Sequence, residues 1–200
     1  MATMDVPNNE QYGRRLMPSV LDQLSRRTPT KLFASVPKTG DLLDGFRDVS
    51  VSDMARCVDF AAACIENHFG RGDNFETLAY VGIPDLRGVI IFYAAVKCGY
   101  KLLVPSPRNP PTTNLSLLQQ TICTKLVYTA EVAPLIKPLI NLLPALRTEA
   151  LPSFDQMLCS NPQPYPYEKD FDHAENEPIL VLHSSGSTGT HFRLQPPGPC

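Results

Sequence analysis

Apolar residues recur at helical spacing in the segment 52–69. They lie on the three-and-four spacing that puts side chains on one face of an α-helix: Met54, Val58, Ala61, Ala62, Ile65 and Phe69. Ser52 is a residue type that caps helix N-termini, and Gly70 suits the position just past a helix end. The pattern therefore predicts a helix over 52–69 with one buried face.

Short apolar strands alternate with further helices along the rest of the chain. The strands are expected at 77–83, 101–105 and 125–129, and the helices at 84–97, 114–122 and 131–143. Pro134 and Pro138 interrupt the last of these helices, because proline lacks the backbone N–H that a helix uses. Alternation of this kind favours parallel strands joined by helical crossovers. We therefore predict an α/β fold, a mostly parallel sheet with helices on both faces.

The last apolar strand leads directly into a serine- and glycine-rich run. A polar, proline-rich segment, 151–177, comes first and contains only the short apolar piece 153–159. The strand is expected at 179–183, within the sequence "ILVLHSSGSTGT". Open α/β sheets bind ligands at the carboxyl ends of their strands. The sequence thus places the Ser/Gly run where a ligand is expected.

Overall charge and hydropathy exclude some classes of protein. Apolar residues make up 43% of the chain and charged residues 19%, with a net charge of -2. This balance disfavours a nucleic-acid partner, which calls for a basic surface. The longest apolar run, 89–96, is far shorter than the roughly 20 residues of a membrane helix, and the N-terminus lacks an apolar leader. We expect a cytoplasmic protein with no membrane partner.

Cysteine and histidine spacing predicts no metal centre. The six cysteines contain no C-x-x-C pair and mostly stand among apolar neighbours, as small buried hydrophobes do. His68, His173 and His191 also lack the spacing of metal ligands. Reduced thiols and no zinc are expected.

The run "SSGSTG" has two possible roles. Its composition is typical of a flexible linker. Its position after an apolar strand instead favours a phosphate-holding loop, since glycines let the backbone approach an anion that amide and hydroxyl donors then surround. The sequence contains neither the nucleotide P-loop motif nor the dinucleotide-binding fingerprint. A nucleophile elbow is excluded as well, because Ser185 and not glycine stands two residues before Ser187.

The quoted loop and two earlier stretches resemble a known superfamily. "HSSGSTG" after an apolar strand is similar to the phosphate-loop signature of adenylate-forming (AMP-binding) enzymes, which include acyl-CoA synthetases and nonribosomal peptide synthetase adenylation domains. "KCGYKLLVPSPRN" and "LLQQTICTKLVYTAE" are most similar to fungal carboxylic acid reductases that resemble nonribosomal peptide synthetases. By this resemblance, 1–189 is the N-terminal part of an adenylation domain and 190–200 is a divergent tail.

The resemblance implies carboxylate activation. ATP and an acid would give an acyl-adenylate and pyrophosphate, and the acyl group would pass to a carrier thiol, in fungal secondary metabolism. The matching residues would hold the ATP phosphates while Mg²⁺ screens their charge: His183, Ser184, Ser185, Gly186, Ser187, Thr188 and Gly189. For His183, approach to the nucleotide and a structural hydrogen bond are both open. No catalytic residue is assigned.

After Gly189 the chain departs from the family pattern. His191 stands for a family proline and Phe192 for a family lysine, while Arg193 comes one residue late and would point to the opposite face of a strand. The family's later motifs, for adenine, ribose and acyl substrate, would lie beyond residue 200. We therefore expect a truncated adenylation domain that is inactive alone.

The alternative is a non-catalytic interaction or regulatory module derived from such a domain. The expected partners are the carboxylic acid substrate of the intact family and either the missing C-terminal portion or a partner protein. Carrier-bound phosphopantetheine and NADPH would be involved only if carrier and reductase domains exist downstream.

Overall fold

Helices and strands alternate through most of the computed structural model, which describes residues 13–183. The helices are α1 Met17–Arg27, α2 Val51–Phe69, α3 Leu86–Lys97, α4 Pro111–Gln120, α5 Ala133–Leu142, α6 Phe154–Cys159 and α7 Phe171–Ala174. The strands are β1 Leu32–Pro37, β2 Phe46–Ser50, β3 Thr77–Val81, β4 Lys101–Leu103, β5 Lys125–Thr129, β6 Arg147–Leu151 and β7 Leu180–Val181.

Five of these strands form one parallel sheet in the order β6-β5-β3-β4-β7. β3 lies in the middle, where Ala79 is in register with Leu103 of β4 and with Leu126 of β5. β7 extends the sheet at one edge through two register pairs with β4. The predicted parallel sheet is confirmed.

Alternate residues of the central strand face two separate apolar cores. Leu78 and Tyr80 belong to a cluster formed with α1, α2, α3 and α6. Ala79 and Val81 belong to a second cluster formed with α4 and α5. Because successive strand residues point to opposite faces, a fully buried strand needs a helical layer on each side. Helices on both faces, as predicted, are therefore confirmed.

The start of α2 differs from the sequence prediction. Ser50, and not Ser52, is the N-cap: its Oγ accepts a hydrogen bond from the Asp53 backbone N–H at 3.1 Å. The Ser50 N–H in turn donates to Asp53 Oδ2 at 3.1 Å, which completes a capping box. Ser52 was the wrong choice because the reciprocal acidic partner stands three residues after Ser50. Gly70 ends the helix as predicted, with φ at 80°.

A buried ion cluster joins the first three helices. The Lys97 side chain, on α3, is 1% exposed, and its Nζ donates to Asp22 of α1 at 2.8 Å and to Asp59 of α2 at 2.7 Å. A third hydrogen bond, at 3.2 Å, goes to the backbone carbonyl of Tyr165. Lys97 therefore ties the polar segment after α6 to the helical layer.

Several elements have no counterpart in the sequence prediction, among them α1 and α7. An antiparallel hairpin, β1 with β2, precedes α2, and β6 forms the sheet edge opposite β7. Element bounds also shift: α4 starts earlier than residue 114, and a 3₁₀ turn, Ala130–Val132, leads into α5. Pro134 lies in the first turn of α5, and only Pro138 lies inside the helix.

Candidate functional site

A crevice is expected where the connections after two neighbouring strands leave the sheet on opposite sides. β3 and β4 are adjacent, and the helix after β3 packs in one core whereas the helix after β4 packs in the other. Open α/β sheets bind ligands outside the carboxyl ends of the strands at such a switch point. The loops after β3 and β4, together with the end of β7, therefore define the candidate site in the described residues.

β7 brings His183 to this edge of the sheet. Leu180 pairs with Leu102 and Val181 with Leu103, so that the chain leaves β7 beside the carboxyl end of β4. The half-buried His183 imidazole Nε2 lies 3.1 Å from the carbonyl oxygen of Val104. This hydrogen bond joins the residue before the predicted phosphate loop to the loop after β4.

Only one of the predicted phosphate-binding residues falls in the described part of the chain. His183 does, and it has the structural hydrogen bond that was one of its two interpretations. The others, and the residues standing for the family proline and lysine, lie outside the described residues: Ser184, Ser185, Gly186, Ser187, Thr188, Gly189, His191 and Phe192.

The loop after β4 is organised by a buried side-chain amide that the sequence analysis missed. Asn114, on α4, is 5% exposed. Its Oδ1 accepts from Asn109 Nδ2 at 2.9 Å, and its Nδ2 donates to the Ser106 carbonyl at 3.1 Å. Asparagine is common near helix starts, so its presence there does not indicate a special role. Its position after a proline-rich strand end is the one sequence signal that could have pointed to it.

The opposite wall, after β3, contains a buried arginine. Arg87 donates to Asp85 Oδ2 at 2.8 Å and to Glu131 Oε1 at 2.8 Å. The hydrogen bond from Arg87 lowers the pKa of Glu131 to about 2. A Cβ at Gly82 would overlap the Tyr80 hydroxyl, so the turn after β3 requires glycine for this close approach. Ion pairing of Arg87 on both sides gives this wall a structural role.

The buried thiols near the sheet are not poised for nucleophilic chemistry. Burial raises the pKa of Cys57 and of Cys98 to about 12 and that of Cys123 to about 11. Since the thiolate is the reactive form, these residues act as small apolar side chains. The five cysteines in the described part of the chain are all free.

Two surface histidines pair with carboxylates. His68 Nδ1 lies 3.0 Å from Glu149, and His173 Nδ1 lies 2.7 Å from Asp170. Residues 13–183 contain no group of three or more His, Cys, Asp or Glu side chains arranged to hold a metal ion. Over the same range, every helix is too short or too polar to span a bilayer.

Two curated fungal proteins are similar to this chain over most of its length. An isocyanide synthase-NRPS hybrid, crmA, of Aspergillus fumigatus is 37% identical over 182 residues, which cover 89% of this chain and 12% of that protein. A carboxylic acid reductase of Neurospora crassa is 31% identical over 188 residues, or 93% of this chain and 18% of that protein. The chain thus spans less than a fifth of either relative. No protein-family model matches it.

Solved structures share the fold. An acetoacetyl-CoA synthetase from Streptomyces lividans superimposes with a TM-score of 0.67 at 17% identity, over 86% of this chain and 28% of that one. The N-terminal domain of FACL13 from Mycobacterium tuberculosis gives 0.68 at 14% identity, over 86% of this chain and 42% of that one.

The architecture is that of the N-terminal region of adenylate-forming enzymes. The chain belongs to the AMP-binding, adenylate-forming superfamily, of which it corresponds to an N-terminal part. Two of its relatives are the fungal isocyanide synthase-NRPS hybrid and the fungal carboxylic acid reductase named above.

Proposed function

We propose that this chain provides the phosphate-binding part of an adenylation domain, which activates a carboxylic acid with ATP and passes the acyl group to a carrier thiol. One observation carries the proposal: β7 ends beside the switch point between β3 and β4, and Ser184 to Gly189 follow it directly in the sequence. The two fungal relatives support the carboxylate-activating chemistry. A cytoplasmic setting in fungal secondary metabolism is part of the same proposal.

The cofactors of the proposal are ATP and Mg²⁺. Backbone amides and hydroxyls of the loop would contact the phosphates, and Mg²⁺ would screen their charge. Carrier-bound phosphopantetheine and NADPH belong to the proposal only where carrier and reductase domains accompany this one.

We expect that the 200 residues do not suffice for catalysis, because the free energy from the loop's hydrogen bonds is of the same size as the cost of association. Three or four charge-assisted hydrogen bonds of about 1.5 to 3 kcal/mol each supply roughly 5 to 12 kcal/mol. Association costs about 4 to 15 kcal/mol. Weak ATP binding by the loop alone is therefore expected. Without a pocket that orients the acid, the attacking carboxylate is not positioned for reaction.

Nucleotide binding tests the phosphate loop. Titration of the 200-residue chain with ATP, AMP and adenosine should give affinities in that order, and chelation of Mg²⁺ should weaken ATP binding. The double variant Ser185→Ala/Ser187→Ala should reduce ATP affinity and leave adenosine unchanged. Ser35→Ala, on the β1–β2 hairpin, is the matched control. Equal affinity for ATP and adenosine would contradict phosphate recognition.

Pyrophosphate exchange tests the expected inactivity. The isolated chain, supplied with ATP, Mg²⁺ and a panel of carboxylic acids, should give no exchange above that of the loop double variant. Acid-dependent exchange by the wild-type chain alone would refute the inactivity and leave the phosphate loop standing.

The alternative, an interaction module, is favoured by the edge of β7. Leu180 of β7 and Ile179 just before it are partly exposed, and Leu182 just after it is 74% exposed. The outer edge of β7 has no partner strand within residues 13–183. The occupant we propose is the polypeptide that continues the domain, since the chain covers only 28% and 42% of the solved structures above. Binding of an apolar fluorescent dye should fall in Leu182→Asp and not in Leu43→Asp, on the distant hairpin turn. Equal dye binding by both variants would contradict this.

A further inference from the structure

We infer that Asn114 is a positioning residue, which holds the loop after β4 so that the Val104 carbonyl keeps His183 in place. Its relevance to ATP rests on the proposed function, because His183 directly precedes the predicted phosphate loop. The geometric part of the inference rests on described contacts alone.

The side-chain amide of Asn114 is buried. Asn114 is 5% exposed, and a buried amide is costly unless both of its polar atoms are hydrogen-bonded. Both are used: Oδ1 accepts from Asn109 Nδ2, and Nδ2 donates to the Ser106 carbonyl. One side chain on α4 therefore fixes two points of the preceding loop.

The loop after β4 is short of backbone N–H donors. Pro105, Pro107 and Pro110 have no N–H to offer. The Ser106 carbonyl accepts the Asn109 N–H at 3.2 Å and also the Asn114 side chain at 3.1 Å. Since three of the loop's residues have no N–H to donate, the Asn114 amide supplies a second donor to the Ser106 carbonyl.

The same loop is connected to His183. Val104 stands two residues before Ser106, and its carbonyl lies 3.1 Å from His183 Nε2. A carbonyl oxygen only accepts, so Nε2 must carry the proton. β7 itself pairs with the sheet only at Leu180 and Val181. The bond to Val104 therefore extends the anchoring of the chain two residues beyond the strand.

A spectroscopic signature separates positioning from general stability. In ¹⁵N-labelled full chain, the Nε2–H of His183 is expected to be protected from exchange and visible in an imidazole ¹H–¹⁵N spectrum, with the signal assigned by its loss in His183→Gln. Asn114→Ala should remove it, and so should Asn114→Asp, which keeps the shape but loses the donor to Ser106. Ser116→Ala, which removes a side-chain bond to Gln120 elsewhere on α4, should keep it.

The outcomes decide the inference. Loss of the signal in both Asn114 variants, with far-UV circular dichroism unchanged, supports it; retention of the wild-type signal in either variant overturns it. If the Asn114 variants do not fold, Asn109→Ala, which removes one of the two amide contacts, must weaken or shift the signal. ATP titration is an independent measurement. Asn114→Asp should weaken ATP binding several-fold and leave the affinity for adenosine unchanged. A wild-type chain that binds no ATP would refute the proposed function, while the imidazole signal would still decide the role of Asn114.

Discussion

Lys97 Nζ lies 2.7 Å from Asp59 Oδ1, at a point where the lysine is almost completely removed from solvent. With Asp22 as the second carboxylate, the cluster holds two acids and one base. Burial raises the pKa of Asp59, against the opposing effect of its bond to Lys97. The lysine is therefore the group that allows two carboxylates to stand together between three helices.

Replacing this lysine should destabilise the fold in a pH-dependent way. Lys97→Met leaves two partly buried carboxylates without their cation, and the free energy of unfolding should fall by about 3 to 5 kcal/mol at neutral pH. A raised folded-state pKa favours the folded state at low pH, so the deficit should shrink as pH falls through the pKa of Asp59. Urea unfolding across pH measures this. Adding Asp59→Asn should restore part of the loss, and Lys137→Met, on the exposed face of α5, is the control; equal stability of the two lysine variants would contradict the prediction.

The capping box of α2 predicts unequal effects for two neighbouring serines. Ser50→Ala removes the acceptor for the Asp53 N–H and should lower the free energy of unfolding by about 1 kcal/mol. Ser52→Ala removes no side-chain hydrogen bond seen in the described residues and should change it by less than about 0.5 kcal/mol. Thermal and urea unfolding of both variants measure the difference. A larger loss for Ser52→Ala would restore the capping role that the sequence suggested.

Two buried tyrosines predict opposite effects of hydroxyl removal. The Tyr80 hydroxyl has no hydrogen-bond partner among residues 13–183. Tyr80→Phe should leave the free energy of unfolding unchanged or raise it by up to about 1 kcal/mol, because an unbonded buried hydroxyl is costly. The Tyr100 hydroxyl donates to the Gly70 carbonyl at 2.8 Å and accepts from Lys125 at 3.1 Å. Tyr100→Phe should therefore cost about 1 to 3 kcal/mol; a greater loss in Tyr80→Phe would indicate a partner for its hydroxyl.

The Arg87 pair predicts a stability difference that disappears in acid. Arg87 holds the pKa of Glu131 at about 2, below its usual value of about 4.5. A depressed pKa stabilises the folded state above the unfolded pKa, and this contribution is lost as pH falls from about 4.5 to about 2. The Glu131 side chain is 48% exposed, so screening limits the effect of Glu131→Gln to about 1 kcal/mol at neutral pH. Chemical unfolding at several pH values measures it, with the exposed Glu175→Gln as control. A deficit that persists unchanged at pH 2 would exclude this ion pair as its cause.

The strongly periodic elements were predictable from sequence. α2 and β5 follow from apolar spacing and from the stop at Gly70, and β5 has the predicted bounds. α2 packs against one apolar core, and β5 contributes side chains to both cores. Their burial therefore requires apolar residues at regular positions in the sequence. The position of β7 was also predicted, although the strand is shorter than predicted.

The elements that were missed have weak local patterns. β6 is partly or fully exposed except at Leu151, and every position of β1 is partly or fully exposed. Neither strand buries enough apolar surface to produce an apolar pattern that can be recognised in the sequence. Within the candidate site, His183 was predicted, but its contact with Val104 and the role of Asn114 depend on residues far apart in sequence. Such contacts follow from topology, which spacing along one segment does not encode.

The placement of β7 has a consequence for the folding order of the chain. Leu102 and Leu180 pair across most of the second half of the sequence, whereas β3, β4 and β5 pair through shorter connections. Closing a longer loop costs more chain entropy, and contacts between distant segments tend to form late. With only two paired residues to compensate, β7 should join after the central strands have assembled. The strand that leads into the candidate site is thus expected to be the last to dock onto the sheet and the first to leave it.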